Sequence, residues 1–224
     1  MVDRLFDTNS PDTRELIPGL SVHLMVLHPP IDRLAALVAY LLPHVSEVVI
    51  IDTGSLEPTI KIMQSWNFPH TSPVHVFSEV FEDFSTTRNR GLIRHKYEWT
   101  LGIDPDEWPS LDMLNHIKYA VSSEGMSENP EANGWVYWTI NFWGGILGPE
   151  MDYHWHTRLW KTKGSFLYRP IHELVNVCGK PELDIRGSST LPFAPKQSYL
   201  IHSKGSEDIE KADKLYAQMG EVSR

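Results

Sequence analysis

Residues 99–110 read WTLGIDPDEWPS, an apolar run that stops on two aspartates one residue apart, Asp104 and Asp106. Like charges held that close raise each other's cost of ionisation, so the stretch predicts a strand that ends where something positive is bound. A second run behaves the same way. VVII, Val48 to Ile51, has the short β-branched pattern of a strand buried on both faces of a parallel sheet, and it delivers Asp52 into the turn DTGS. Ligands of open parallel sheets bind beyond the carboxyl ends of the strands. Asp52, Asp104 and Asp106 are therefore expected at one edge, around a cation or its complex, and oxygen ligands at that density suit Mg2+ or Mn2+. Taken singly, Asp52 before Thr-Gly-Ser also fits a plain turn, and Asp106 fits a loop or helix-start carboxylate.

Outward from these two runs the chain alternates. VHLMVLH (22–28) predicts a first strand, and IDRLAALVAYLL (31–42) a helix with Leu34, Leu37, Val38, Leu41 and Leu42 on one face. A short helix through Ile60, Met63 and Trp66 follows, then the strand VHVFSE (74–79) and a helix running to Arg94 with Ser85 as its N-cap. Strands and helices alternating through short connections imply βαβ units and a mostly parallel sheet. Beyond it, Ser110 caps the helix LDMLNHIKYAV, and SSEGMSENPEANG (122–134) reads as a polar loop. WVYWTINFW, HTRLWK, SFLYRP and YLIHS then give strands without helices between them, so the second half is expected to be antiparallel or mixed. EDIEKADKLYAQMG (207–220) is expected to be a terminal amphipathic helix with Ile209, Ala212, Tyr216 and Met219 inward. Residues 1–20 are polar and read as an N-terminal extension, and 21–224 as a single α/β domain with its ligand-binding half over 21–110 and a second half over 111–224.

A chain of 224 residues with 41% hydrophobic content is long enough to bury one sizeable core. Its net charge of −9 is an unfavourable background for holding a nucleic-acid backbone. The single cysteine, Cys178, has no internal disulfide partner and reads as a small, half-buried hydrophobe rather than a reactive thiol. No run is long and apolar enough for a membrane span and the first residues lack a signal-peptide core, so a cytoplasmic protein is expected.

The ordered set SVHLMVLH, DRLAALVAYLLPHVSEVVIIDTGS, FSTTRNRGLIRH and EWTLGIDPDEWPS, between residues 21 and 110, resembles the family 2 glycosyltransferases of GT-A fold. The resemblance implies a central, mostly parallel twisted sheet flanked by helices, and transfer of a sugar from a nucleotide-linked donor, UDP-linked in the first instance. On it, Asp52 and Arg88 correspond to nucleotide-contacting positions. Asp104 and Asp106 correspond to the D-x-D motif, the first facing ribose or sugar hydroxyls and the second binding Mn2+ or Mg2+ on the diphosphate. The chain departs from the family with HPPID after the first strand, where relatives often have Lys-Asn-Glu-Glu, and with LEPT after DTGS.

In the second half, PIHELV (170–175) resembles the family's His-Glu segment, which makes Glu173 the expected general base for the acceptor hydroxyl; a solvent-facing glutamate at a helix start is the plainer alternative. His202 in YLIHS resembles the C-terminal histidine that completes the metal site, and an imidazole ligand favours manganese. Trp108, Trp143 and Trp160 are aromatic surfaces on which an acceptor sugar can stack, with His172 beside Glu173. His154 and His156, two apart, share a face of any strand they occupy. A hydroxyl on a glycan or protein is the expected acceptor, nucleic acid being disfavoured by charge. Two other functions fit the same architecture: metal-dependent nucleotidyl transfer, for which the first strand offers only Arg33 to a triphosphate, and non-catalytic sugar binding.

Overall fold

The computed structural model describes residues 15–68, 72–143, 150–170, 172–182 and 190–204. The predicted terminal helix at 207–220 lies outside them, as does most of the N-terminal extension. The extension is shorter than expected. Ile17 is already in the core, its N–H bonded to the His44 carbonyl at 2.8 Å, and the first strand begins at Leu20.

Four strands form the parallel half of an eight-stranded sheet: β1 (Leu20–Val26), β2 (Glu47–Asp52), β3 (Val74–Ser78) and β4 (Trp99–Gly102). Their spatial order is β3-β2-β1-β4, every neighbouring pair parallel. All residues of β1, β2 and β4 are buried, the polar Ser21, His23, Glu47, Asp52 and Thr100 included, as expected of strands covered on both faces. One face packs on α1 (Ile31–Leu41), α2 (Glu57–Gln64) and α4 (Leu111–Ala120) through Leu34, Leu37, Val38, Leu41, Met63, Met113 and Ile117. The other face carries α3 (Phe84–Leu92), with Met25, Val49 and Ile51 against Phe77, Phe81 and Phe84. Asp83, not Ser85, caps α3: its carboxylate accepts from the Thr86 N–H at 2.7 Å, and Ser85 is already helical. Asp is the stronger cap because an ionised acceptor faces the positive end of the helix.

The second half is mixed, as its strand-only pattern predicts. β7 (Glu150–Lys161) runs antiparallel to β4 and to β6 (Gly134–Trp143); β11 (Tyr199–Lys204) lies parallel to β6 and antiparallel to the short edge strand β5 (Glu107–Pro109). A separate antiparallel sheet of β8 (Phe166–Tyr168), β9 (Leu174–Val177) and β10 (Lys180–Pro181) packs Leu167, Val175 and Val177 on Val136 and Trp160. Two expectations fail locally. The polar segment after α4 contains a helix, α5 (Ser123–Glu128), capped by the Ser122 hydroxyl at 3.1 Å from Gly125 N. Cys178 is exposed, in the β9–β10 turn at φ 50°, where its Sγ lies against the Lys163 carbonyl and not in the core. Among the described residues, no helix is long and apolar enough to cross a membrane.

Several imidazoles are folded into this scaffold in neutral form. Burial lowers His95 and His116 to about 4 and His23 well below its ordinary value. Each therefore takes up its proton more readily in the unfolded chain, so its contribution to stability is complete above pH 6.5 and declines as the pH falls towards 4. Stability is expected to drop over that interval by up to about 1.4 kcal/mol per pH unit for each such imidazole. The urea midpoint measured from pH 7 to pH 5 checks this, and a flat profile would contradict it.

Candidate active site

A cavity of about 950 Å³ opens between the carboxyl ends of β1 and β4, the start of α3, and the facing residues of β7, β6 and β11. It collects Asp104, Asp106, Arg88, Glu173 and His202 from segments up to about a hundred residues apart, together with His172 and Trp160. The elements explain the convergence. β4 stops at Gly102 and leaves Asp104 and Asp106 at its carboxyl end, while α3 presents Arg88 over the same edge. Gly102 has no side chain for a steric reason: a Cβ there would stand 2.2 Å from the Trp160 ring, which lies across β4 as part of the cavity floor.

Arg88 holds two of the predicted residues together. Its NH2 donates to Asp104 Oδ1 and its Nε to Glu173 Oε1, the latter at 2.6 Å. Desolvation alone would lower the guanidinium; the Asp104 and Glu173 carboxylates overcome it and hold Arg88 above its ordinary range. Asp104 responds in the opposite sense, since desolvation pushes it up but Arg88 and then Arg158 hold it well below the usual carboxylate range. Glu173, on the loop that enters β9, faces this guanidinium and not bulk solvent, with its side chain 16% exposed.

Asp106, from the end of the first half, meets His202, from the last strand described: Asp106 Oδ2 lies 3.0 Å from His202 Nε2. Register makes this possible, because β11 pairs His202 with Glu107 on β5, one residue beyond Asp106. Among the described residues, no three His, Cys, Asp or Glu side chains stand close enough to hold a metal by themselves.

Asp52 is used differently from expectation. It is fully buried, and its carboxylate accepts from the Gly54 N–H at 3.3 Å and the Ser55 N–H at 3.1 Å, so it closes its own turn instead of lining the cavity. The turn chemistry of Asp-Thr-Gly-Ser is the competing principle that prevails. Trp108 also stays off the cavity: it packs against the core and Tyr40, ring centroids 5.6 Å apart. Trp143 ends β6, and its side chain lies outside what the structure describes.

Sequence reasoning passes over several cavity residues. Glu107 is 1% exposed and accepts from Arg158 NH2 and, through Oε2, from the Asp104 N–H at 2.8 Å, which ties the two halves of the D-P-D-E segment to β7. Burial still holds the Glu107 carboxyl above its ordinary value, with Arg158 opposing. His154 and His156 do share a strand face, ring centroids 4.9 Å apart, and burial lowers His156 to about 3. Glu182, raised by burial, accepts from the backbone N–H groups of Thr157 and Val175. The available signal was spacing by two: Asn141 among the apolar residues of WTINFW, and His154, His156 and Arg158 along β7, all mark a polar face on an otherwise buried strand.

No protein-family model and no curated protein matches the chain. Among solved structures it is similar to S. aureus TarS at 13% identity, the match covering 89% of this chain and 39% of that one with a TM-score of 0.50. Structures of S. aureus TarS 1-349 match at the same 13% identity. One covers 89% of this chain and 64% of its own, with a TM-score of 0.48. The other, in complex with UDP-GlcNAc, covers 83% and 58%, with a TM-score of 0.49. The chain thus spans between 39% and 64% of the length of these structures. At such identity the likeness concerns architecture, and with the sheet order β3-β2-β1-β4-β7-β6-β11-β5 it gives the conclusion that this is a GT-A-like fold.

Proposed function

We propose that the chain is an inverting, metal-dependent glycosyltransferase that moves a sugar from a nucleotide donor, UDP-linked in the first instance, to an acceptor hydroxyl. The observation that carries this reading is the joining of Asp104 to Glu173 by Arg88, in the same cavity that brings Asp106 onto His202. Asp104 accepts from hydroxyls of the donor's ribose or sugar. Arg88 fixes the separation between that carboxylate and Glu173, and Glu173 takes the proton of the acceptor hydroxyl. The side of the cavity formed by His172, His154, His156 and Trp160 is left for the acceptor.

The donor set fits a divalent cation. Among the described residues, six carboxylates line the cavity, Asp104, Asp106, Glu107, Asp152, Glu173 and Glu182, against the guanidiniums of Arg33, Arg88 and Arg158. A diphosphate entering that field unaccompanied meets net repulsion, so positive charge must enter with it. Asp106 and His202 are the residues to hold the ion, and one carboxylate oxygen with one imidazole nitrogen suits Mn2+ better than Mg2+. Bound there, the ion would neutralise the departing nucleoside diphosphate.

Thermal shift with nucleotide sugars, with and without Mn2+, tests the reading. A UDP-sugar at a hundredfold its Kd is expected to stabilise the protein by about 2.7 kcal/mol, and omission of Mn2+ to abolish most of the shift. Stabilisation only by nucleoside triphosphates, with pyrophosphate as product, would replace it with nucleotidyl transfer. Glycan binding indifferent to nucleotide and metal would replace it with a sugar-binding module.

A further inference from the structure

Three neighbouring strands of the second half place three polar side chains in one row. Asn141 on β6 stands opposite Asp152 on β7 and beside His202 on β11. Residues directly opposite in a sheet point to the same face, and here each touches the next. The Asn141 amide nitrogen donates to Asp152 Oδ1 and lies 2.7 Å from His154 Nδ1, while Asn141 Oδ1 lies 2.8 Å from His202 Nδ1.

With His202 neutral, the row admits one assignment of hydrogens. A carboxylate such as Asp152 only accepts, so the Asn141 nitrogen must face it and the Asn141 oxygen must face His202. That oxygen accepts, so His202 Nδ1 carries a proton. In neutral His202 the other nitrogen, Nε2, is then a bare lone pair, and it is aimed at Asp106 Oδ2 from 3.0 Å. Two acceptors at that distance are satisfied by a positive charge shared between them. Asn141 is 5% exposed and flanked by β7 on one side and β11 on the other, so neither water nor a flip of the amide readily substitutes for it.

We propose that Asn141 is the positioning residue of the cation site: held by Asp152, it fixes the Nδ1–H tautomer of His202 and so presents Nε2 as a ligand beside Asp106. The inference rests on the metal-dependent reading above, and it adds residues that touch neither the ion nor the donor. Metal-binding histidines depend on such outer partners, whose loss typically weakens metal affinity by roughly 10- to 100-fold.

Two measurements on the full chain test it. Mn2+ binding is followed by electron paramagnetic resonance in the presence of UDP, for the wild type, Asn141→Leu and Asn141→Asp. Asn141→Leu removes the acceptor and is expected to raise the Mn2+ Kd by roughly 10- to 100-fold. Asn141→Asp keeps an acceptor for Nδ1–H but loses the donor to Asp152, and its Kd is expected to fall between those of wild type and Asn141→Leu. Separately, 15N chemical shifts of His202 in the metal-free protein at neutral pH are expected to show the Nδ1–H tautomer in the wild type, a signature that a purely packing role for Asn141 would not set and that needs no folded variant. A wild-type His202 in the Nε2–H tautomer, or Mn2+ affinity of a folded Asn141→Leu protein within threefold of wild type, overturns the assignment and leaves the metal reading standing. Absence of Mn2+ binding by the wild type overturns the metal reading and this inference with it.

Discussion

Glu173→Gln is expected to lower turnover by roughly 10²- to 10⁴-fold, the usual worth of a positioned general base, while nucleotide-sugar binding stays close to wild type. The substitution is nearly isosteric, and a glutamine Oε1 still accepts from Arg88 Nε, so the 2.6 Å contact and the β9 entry it anchors are retained. Only the capacity to take a proton is lost. Because Arg88 occupies Oε1, the proposed base would take the acceptor proton on its second carboxylate oxygen. Steady-state rates with KM for the donor, measured beside a thermal-shift titration, separate the two effects. A turnover within threefold of wild type removes Glu173 from the chemistry, and a lost donor shift with normal stability assigns it to binding.

Arg88→Met is expected to cost about 3 kcal/mol of stability at neutral pH, the lower end of what breaking a buried ion pair from one side costs. The lower end applies because the Asp104 side chain is 36% exposed, so water screens part of the charge left behind. Methionine fills the volume of the alkyl stem and leaves Asp104 and Glu173 facing a site without its cation. The pH dependence distinguishes charge from packing. In the wild type Asp104 is held below the ordinary carboxylate range, so its contribution is present above that range and is lost as the pH falls through and below it. The difference between wild type and Arg88→Met should therefore narrow on acidification below pH 4. Urea midpoints at pH 7 and pH 3.5 measure it. A gap below 1 kcal/mol at pH 7, or one that does not change with pH, would show that Arg88 acts through its stem and not through its charge.

The parts of this molecule that are legible in its sequence are those set by local pattern. Short, largely apolar runs gave β1, β2 and β4, the helical spacing of Leu34, Leu37, Val38 and Leu41 gave α1, and Ser110 gave the cap of α4. Asp104 and Asp106 stood out because two acids interrupt an apolar run. What stayed hidden depends on register between distant strands. β5 has three residues, too few for any periodicity to show, yet it brings Glu107 under Arg158 and sets Asp106 against His202. Asn141 is one polar letter in an aromatic strand, and its meaning comes only from its neighbours on β7 and β11. Asp52 looked like its counterpart Asp104, but its carboxylate folds back onto the Gly54 and Ser55 N–H groups, whereas that of Asp104 is taken by Arg88, a partner sixteen residues away that no local pattern announces.

β11 is the last strand described, yet it is inserted between β6 and β5 instead of being added at an edge. It therefore works as a keystone. Without it β5 has no strand to pair with and Asp106 has no imidazole beside it.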